Sequence, residues 1–482
     1  MCGIVLYFGP HADSRLSEST HKIKHRGPDD TKFFHQENLA IAFNRLAIND
    51  KSTLGSQPYY YKDHIAVVNG EIYNHMSLRE EYEIDIKGAC DTNVILPLFD
   101  KLGVEIISVL DGFYSGLIYN RKDHKLFCIR DYIGKKPLFL GRSGTEIFVT
   151  SELKAIPNVD SFEMLPKGVS RIDLSTGAVY QEVNHKTNVL DKATSLKNLV
   201  QNAVIKRLPA DPFGVFLSGG LDSSIVASIV SKHRKDVIYY ALAKENSIDY
   251  SYIVELQKYL GIQVKYIDPP HKNTLRELIC KVVYTTESYN PSIISNGICT
   301  YLLAESAHKD QLKVVLSGEG ADELFCGYHM FKKDDDWINI RQQLINDMCF
   351  TELRRIDQCC MAHSIENRCP FLDKKIHDFA SSLKYDDFFH IENGTMENKF
   401  ILRQTFESDL PKRITRRKKI SFDVGSGIRA LTVCHLTKES DTEKQVLKEI
   451  WQRFFDIGSD AIYFHSYPVF NNAIASRGRT HK

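Results

Sequence analysis

The sequence predicts two folds in succession: an antiparallel α+β sandwich over residues 1–185, then an α/β domain on a parallel sheet over residues 186–482. Three observations carry this reading. The first part consists of short apolar runs separated by clusters of turn residues. The second alternates apolar runs with amphipathic helical stretches, the rhythm of a parallel sheet covered by helices. Between them residues 181–192 are polar with little periodicity, as expected of a linker. A chain of 482 residues also exceeds what one ordinary core sustains.

In the first part, strands are expected at residues 4–8, 39–43, 65–68, 116–119, 126–129, 147–150 and 169–172, among others. Turns are expected at 120–123 and at Gly141-Arg142-Ser143-Gly144, and helices at 18–25 and 92–102, the latter leading to 106–110. In the second part, helices are expected at 196–208, 224–232, 252–260, 275–286 and 300–307. Strands are expected at 214–217, 237–242, 264–267 and 314–316, and one tail helix at 442–455.

Composition narrows the function classes. A formal charge of +1 gives no electrostatic reason to expect nucleic acid or a membrane surface as partner. No basic segment followed by a long apolar run opens the chain, and no run of about 18 apolar residues occurs. The eleven cysteines are scattered, only Cys359 and Cys360 are neighbours, and no spacing suits zinc. Thiols spread through apolar segments fit a reducing, cytoplasmic compartment.

Three segments carry chemistry. Cys2 becomes a terminal residue if Met1 is removed, and then holds a thiol and an α-amine with a pKa near 8 that can take the thiol proton. The plainer alternative is an incidental thiol at the start of a buried strand. Ser218-Gly219-Gly220-Leu221-Asp222-Ser223-Ser224 follows an apolar strand and opens a helix, placing glycines, hydroxyls and helix N–H groups where phosphate binds. Asp222 suits Mg²⁺ on a released pyrophosphate or, more simply, a helix cap. There is no Walker-type lysine turn. Ser317-Gly318-Glu319-Gly320-Ala321-Asp322-Glu323 brings three carboxylates to the end of another strand, for metal and nucleotide contacts or as a solvated acidic turn.

With these segments stand His25-Arg26-Gly27-Pro28-Asp29-Asp30, Arg45-Leu46-Ala47-Ile48, Asn69-Gly70-Glu71-Ile72-Tyr73-Asn74, Gly134-Lys135-Lys136-Pro137-Leu138 and Pro370-Phe371-Leu372-Asp373. Lys399 to Arg403 and Arg416-Arg417-Lys418 complete the set. From Met1 to about Lys419 the chain resembles the glutamine-hydrolysing asparagine synthetases, N-terminal-nucleophile (Ntn) amidotransferases fused to an ATP pyrophosphatase-type domain. The resemblance implies an αββα Ntn hydrolase-like sandwich, then an adenine nucleotide α-hydrolase-like domain.

It further implies that Cys2 is the glutaminase nucleophile and that Arg45 binds the glutamine α-carboxylate with Ile48 beside it. Glu71 and Asp91 would hold the α-ammonium, and Asn69 with the Gly70 N–H would form the oxyanion hole. Arg26 and Asp111 read as braces for loops. In the second domain the resemblance implies a β-aspartyl-AMP made from L-aspartate and ATP with Mg²⁺. Adenine would lie near Leu217 and Leu242, with contacts from Ser317 and Gly318. Ser218, Gly219, Gly220, Asp222, Ser223 and Ser224 would hold pyrophosphate, and Asp222 and Asp322 the metal. Lys399 would neutralise charge at the α-phosphate, Glu319 would assist with ammonia or substrate, and ammonia would pass internally. The implied partners are glutamine, aspartate and ATP, and a homodimer is a compatible assembly.

Several positions depart from the family pattern: Cys90, Asn93, Cys326, Gln358, Cys369 and Asn398. None has a named catalytic role. An amide ligase of this architecture acting on another carboxylate, a cyclase, and a non-catalytic relative are the alternatives. Cys2 together with intact Arg45, Asn69, Glu71 and Asp91, beside an intact 218–224 loop, argues against the last two.

Overall fold

Strand alternation sorts the first half of the chain into layers. The computed structural model describes residues 2–157, 159–187, 195–331, 336–392, 394–437, 442–458 and 461–465. It falls into two compact units. One comprises Met1–Lys186 with Met361–Ser364 and Phe455–Gly458; the other comprises Thr187–Cys360, Ile365–Phe454 and Ser459–Lys482.

The first unit contains β1 (Gly3–Phe8), β2 (Asp30–Gln36), β3 (Leu39–Arg45), β4 (Tyr59–Tyr61), β5 (His64–Ile72) and β6 (Gly112–Asn120). It continues with β7 (Lys125–Arg130), β8 (Phe139–Ser143), β9 (Glu146–Thr150), β10 (Ser161–Met164), β11 (Gly168–Ile172) and β12 (Val179–Val183). They form two six-stranded antiparallel sheets, β10-β8-β9-β1-β3-β2 and β12-β11-β7-β6-β5-β4. Successive side chains of a strand point to opposite faces. Cys2, Ile4 and Leu6 therefore share one face, and all three join a core with Ile41 and Phe43 of their own sheet and Val67, Leu117 and Leu126 of the other. Each such aliphatic side chain contributes roughly 1.5–3 kcal/mol by leaving water. The opposite face of the second sheet, with Ala66, Val68, Ile118 and Ile129, packs on Ile95, Leu98 and Phe99 of helix Ile95–Leu102. Helix Ala12–Lys22 lies on β1 and β3, completing the four layers.

Helix Ala12–Lys22 begins and ends earlier than the expected 18–25, and residues 141–143 belong to β8 rather than to a turn. The turn is at Gly144, in the left-handed region at φ 56°. The linker expected at 181–192 starts too early, because Gln181 to Val183 close β12 against β11. Residues 188–192 of that stretch lie outside the described residues.

The second unit holds one parallel sheet of β13 (Phe213–Leu217), β14 (Val237–Leu242), β15 (Val264–Ile267), β16 (Val314–Leu316) and β17 (Glu366–Arg368), in the order β15-β14-β13-β16-β17. The chain steps outward from β13 through β14 to β15, then returns to the other side of β13. The strand order thus reverses between β13 and β16, where open α/β sheets form a crevice beyond the strand ends. β17 carries no apolar signal: Glu366, Asn367 and Arg368 are all buried, and Arg368 Nε donates to Glu366 Oε1 at 2.7 Å. The helix expected at 300–307 spans Pro291–Lys309, starting where Asn290 Oδ1 accepts the Ser292 N–H with Pro291 in the first turn. The tail helix is Glu443–Trp451. Among the described residues no helix is long and apolar enough to cross a membrane.

Glu152 braces the start of the chain. It is wholly buried, with Arg26 Nη1 at 2.7 Å, Lys154 Nζ at 2.8 Å and His25 Nε2 at 3.1 Å. Burial by itself pushes its carboxyl pKa up; Lys154, His25 and Arg26 outweigh that and hold it well below the usual range. Arg26 Nε also donates to the Cys2 carbonyl at 3.1 Å, so this cluster fixes the backbone at Cys2. Glu152→Gln strands buried cations and is expected to destabilise the first unit by about 3–5 kcal/mol, read from urea or thermal unfolding. A depressed carboxyl contributes stability above its unfolded pKa near 4.3 and loses it as pH falls toward the folded value. The gap between the parent and variant should therefore narrow on acidification below about pH 4.

Candidate functional site

The first site lies where β1, β3 and β5 meet the inter-sheet core. The Cys2 N–H donates to Asn69 Oδ1 at 2.8 Å, and Leu46 N–H lies 3.5 Å from Cys2 Sγ. Asn69 follows Val67 by two residues on β5, so strand parity turns it to the same inner face. Its Nδ2 is buried and has no hydrogen-bond partner among the described residues. Such a donor costs stability unless something accepts from it.

Arg45 ends β3 with its guanidinium wrapped by the following loop. Nη1 donates to Ser52 O at 2.8 Å and Ser56 Oγ at 3.1 Å, and Nη2 donates to Asp50 O. A side chain at Gly55 would press on Nη2, at 2.3 Å, and displace the guanidinium from these contacts. Asp91 is buried; Ile72 N–H donates to its Oδ2 at 2.7 Å. Burial raises its pKa against that bond and one from Asn49. Asn49 Nδ2 lies 2.9 Å from both Glu71 Oε1 and Asp91 Oδ1. The structure thus brings Cys2 to Asn69, and Glu71 to Asp91, while Ile48 is half-buried beside Asn49. Gly70 is needed for close strand packing: a Cβ would sit 2.3 Å from the Phe113 carbonyl oxygen. Arg26 is a brace, as its sequence context implies.

The second site is the crevice at β13 and β16. The loop after β13 turns at Gly219, φ 65°, where a Cβ would meet Tyr252 at 3.0 Å. Ser218 Oγ and Ser223 Oγ lie 3.1 Å apart, and Ser224 Oγ donates to Gly220 O at 2.7 Å. Gly220 is the N-cap of helix Leu221–His233 and supplies no side-chain cap, which leaves the helix N-terminus suited to an anion. Asp222 is not the cap. Both its oxygens approach Lys399 Nζ, at 2.8 and 2.6 Å. The loop after β16 lies against this one at Gly318, where a Cβ would stand 2.7 Å from Ser223 N and 2.9 Å from Asp222 Cβ. Asp322 Oδ1 is 2.6 Å from the same Lys399 Nζ, and Asp322 Oδ2 is 2.5 Å from Lys419 Nζ.

Burial pushes the pKa of both carboxyls up. The two ammonium groups reverse that for Asp322, which is held well below its usual range, whereas Asp222, also repelled by Asp322, stays raised. Lys399 adopts φ 57°, and its side chain passes Gly327, where a Cβ would meet Lys399 Cε at 2.1 Å.

An open crevice lies between these loops, apolar at Phe216, Leu217, Ile356, Ile420 and Phe422 and acidic at Asp222, Glu319 and Asp322. Ser317, Gly318 and Ser223 line it. Leu242 is buried at the end of β14. Glu319 is held by Arg355 Nη2 at 2.7 Å. Lys419, Arg355 and Asn49 are site residues that sequence reasoning missed. Only Lys419 has a local signal, the basic run Arg416-Arg417-Lys418-Lys419; the others are placed by long-range packing. Asp222 and Asp322 offer hard oxygen donors of the type Mg²⁺ takes, and the point on which they converge is held by the Lys399 ammonium. No group of three or more candidate ligands occurs among the described residues.

Fold and sites define a two-part class: an N-terminal-nucleophile amidotransferase followed by a parallel-sheet, nucleotide-using synthetase. A glutamine amidotransferase domain model matches residues 1–198, and an asparagine synthase model matches 195–348 and 342–453. The chain is 30% identical over 466 residues to asparagine synthetase [glutamine-hydrolyzing] 2 of Lotus japonicus, covering 89% of this chain and 78% of that one. It is 31% identical over 464 residues to asparagine synthetase B of Escherichia coli K12, covering 89% and 83%. It is 32% identical over 463 residues to asparagine synthetase 3 of Arabidopsis thaliana, covering 89% and 79%. The chain belongs to the glutamine-hydrolysing asparagine synthetase family.

Lys399→Met leaves Asp222 and Asp322 facing each other in a buried crevice. The second unit should lose about 3–5 kcal/mol in denaturant unfolding at pH 7–8. It should recover part of this toward pH 5, as one carboxylate takes a proton and the repulsion ends.

Proposed function

We propose that the protein makes L-asparagine from L-aspartate, ATP and the amide nitrogen of glutamine, releasing glutamate, AMP and pyrophosphate. The observation that supports this most directly is the contact of the 218–224 and 317–323 loops at Gly318, with Lys399 shared by Asp222 and Asp322.

At the first site the Cys2 thiol gives its proton to the α-amine exposed by removal of Met1, and its sulfur attacks the glutamine δ-carbonyl carbon. Asn69 Nδ2 donates to the oxyanion, as electrostatic stabilisation of acyl transfer requires. The Cys2 α-ammonium returns that proton to the amide nitrogen, the C–N bond breaks and ammonia leaves, and water then releases glutamate from the thioester and restores the thiol. Among the described residues Arg45 keeps Nε and one Nη2 hydrogen beyond its three loop contacts. That side-on pair suits a carboxylate.

At the second site the aspartate β-carboxylate attacks the α-phosphorus of ATP and pyrophosphate leaves. Ammonia then attacks the acyl carbon and AMP departs. Lys399 and Lys419 carry positive charge to the phosphates, and the first-turn N–H groups of helix Leu221–His233 receive oxygens. Mg²⁺ on Asp222 and Asp322 would supply charge neutralisation to the leaving pyrophosphate.

The test incubates purified protein with Mg-ATP, glutamine and L-aspartate or other carboxylates, and follows AMP, pyrophosphate and amide. Asparagine with stoichiometric AMP is expected. Pyrophosphate from another carboxylate and none from aspartate would assign the chain to a different amide ligase of this architecture.

Cys2→Ala is expected to abolish glutamine hydrolysis while synthesis from ammonium salt at high pH persists. Asp222→Ala should do the reverse, stopping pyrophosphate release while glutaminase continues. Arg45→Ala should raise the glutamine KM by the equivalent of about 2–5 kcal/mol, the cost of breaking one side of a desolvated charge pair. An unaltered KM would remove Arg45 from the site.

A further inference from the structure

Asn49 follows the Arg45–Ile48 segment, is exposed, and carries no role in the glutaminase reading above. Its Nδ2 lies 2.9 Å from Glu71 Oε1 and 2.9 Å from Asp91 Oδ1. Both partners are carboxylates, which only accept, so the nitrogen rather than the oxygen of the carboxamide faces them. One nitrogen therefore bridges two anions with its two N–H bonds, as the primary ammonium of an amino acid would. Asp91 Oδ2 accepts the Ile72 N–H, and Oδ1, which besides Asn49 has among the described residues only the Cys90 thiol near it, at 4.0 Å, is its oxygen for a ligand. The two anions stand within one nitrogen's reach of each other. With nothing between them they repel, and burial of Asp91 sharpens the repulsion.

We infer that Asn49 is a place-holder. Its carboxamide occupies the α-ammonium position of the glutamine site and swings out when substrate arrives, which makes it a positioning and specificity residue for the glutaminase step. The inference rests on Glu71 and Asp91 being the ammonium ligands. Two features make the exchange feasible. Asn49 lies on an exposed loop, so the side chain can leave into water, where its hydrogen bonds are replaced. The amide is neutral and the incoming ammonium charged, so exchange replaces two ion–dipole contacts with two ionic ones. Substrate binding must therefore first break the Asn49 bonds, a conformational cost included in the apparent affinity. A ligand without an α-amino group does not compete with Asn49 and meets a site whose carboxylates are already satisfied.

The experiment compares glutamine with 4-carbamoylbutanoate, which lacks the α-amino group, in the full-length protein and in Asn49→Ala and Asn49→Leu. Loss of the place-holder should lower the glutamine KM about three- to tenfold, the scale of one net hydrogen bond. The kcat should move less than about twofold, because the side chain does not touch the reacting carbonyl. The KM for 4-carbamoylbutanoate should stay level or rise, so that discrimination between the two ligands widens. A higher glutamine KM, a parallel shift for both ligands, or loss of hydrolysis in both variants would overturn the inference. Glu71→Gln and Asp91→Asn test the underlying reading separately. They should raise the KM for glutamine and not that for 4-carbamoylbutanoate, and an unmoved glutamine KM would refute the ammonium assignment whatever Asn49 does.

Discussion

Two acidic loops stand backbone to backbone at the end of the parallel sheet, and the arrangement depends on the ammonium of Lys399 between them. Asp222 and Asp322 each lie within 2.8 Å of that nitrogen, and Lys419 holds the outer oxygen of Asp322. Without these cations the contact at Gly318 would press like charges together where little water can screen them. The sheet order makes the encounter unavoidable, because β13 and β16 are neighbours and each releases its loop at the same edge. Gly318 and Gly327 then do for shape what the lysines do for charge: one lets the loops touch, the other lets the Lys399 stem pass.

The first unit reaches its site by a different constraint, the period of two along a strand. Cys2 enters the interior because Ile4 and Leu6 must, and Asn69 faces it because Val67 must face the same core. The nucleophile proposed here is thus placed by packing, and the Arg26–Glu152 pair holds the backbone at its carbonyl. A polar asparagine deep in an apolar layer, with its Nδ2 unsatisfied among the described residues, is the local exception on which the proposed oxyanion contact rests.

In the first unit legibility mostly followed solvent exposure, with the interior strand β8 the exception because Gly141-Arg142-Ser143-Gly144 carries turn residues into it. The strands read from the first part, such as β1, β3, β5, β6 and β7, all lie inside their sheets, where both neighbours and a buried face impose an apolar pattern. The four edge strands β2, β4, β10 and β12 carried no such pattern. Asp30–Gln36 and Val179–Val183 are mostly half-buried or exposed, so polar residues serve there. β17 failed for the opposite reason, since its burial is satisfied by ion pairing and hydrogen bonds instead of apolar side chains. At the sites, motif residues were legible because backbone turns and phosphate chemistry demand particular types at fixed spacing. Asn49 and Arg355 were not, because what selects them is a partner far away in the chain, and Lys419 was marked only by the basic run that it ends.

Both sites share one physical logic. Anions proposed for a cationic or metal-bearing ligand are wholly or partly withdrawn from water before that ligand arrives, and each set is kept tolerable by an internal stand-in. Asn49 spans Glu71 and Asp91; Lys399 and Lys419 span Asp222 and Asp322. A stand-in too weak would let the carboxylates take protons, since burial raises both Asp91 and Asp222. One too strong would lock the ligand out. The neutral amide at the first site suits a ligand that supplies a single ammonium. The second site uses full ammonium charges, which stay useful after the exchange because phosphate oxygens give them new partners. The choice of stand-in thus tracks the charge of the ligand proposed for each site.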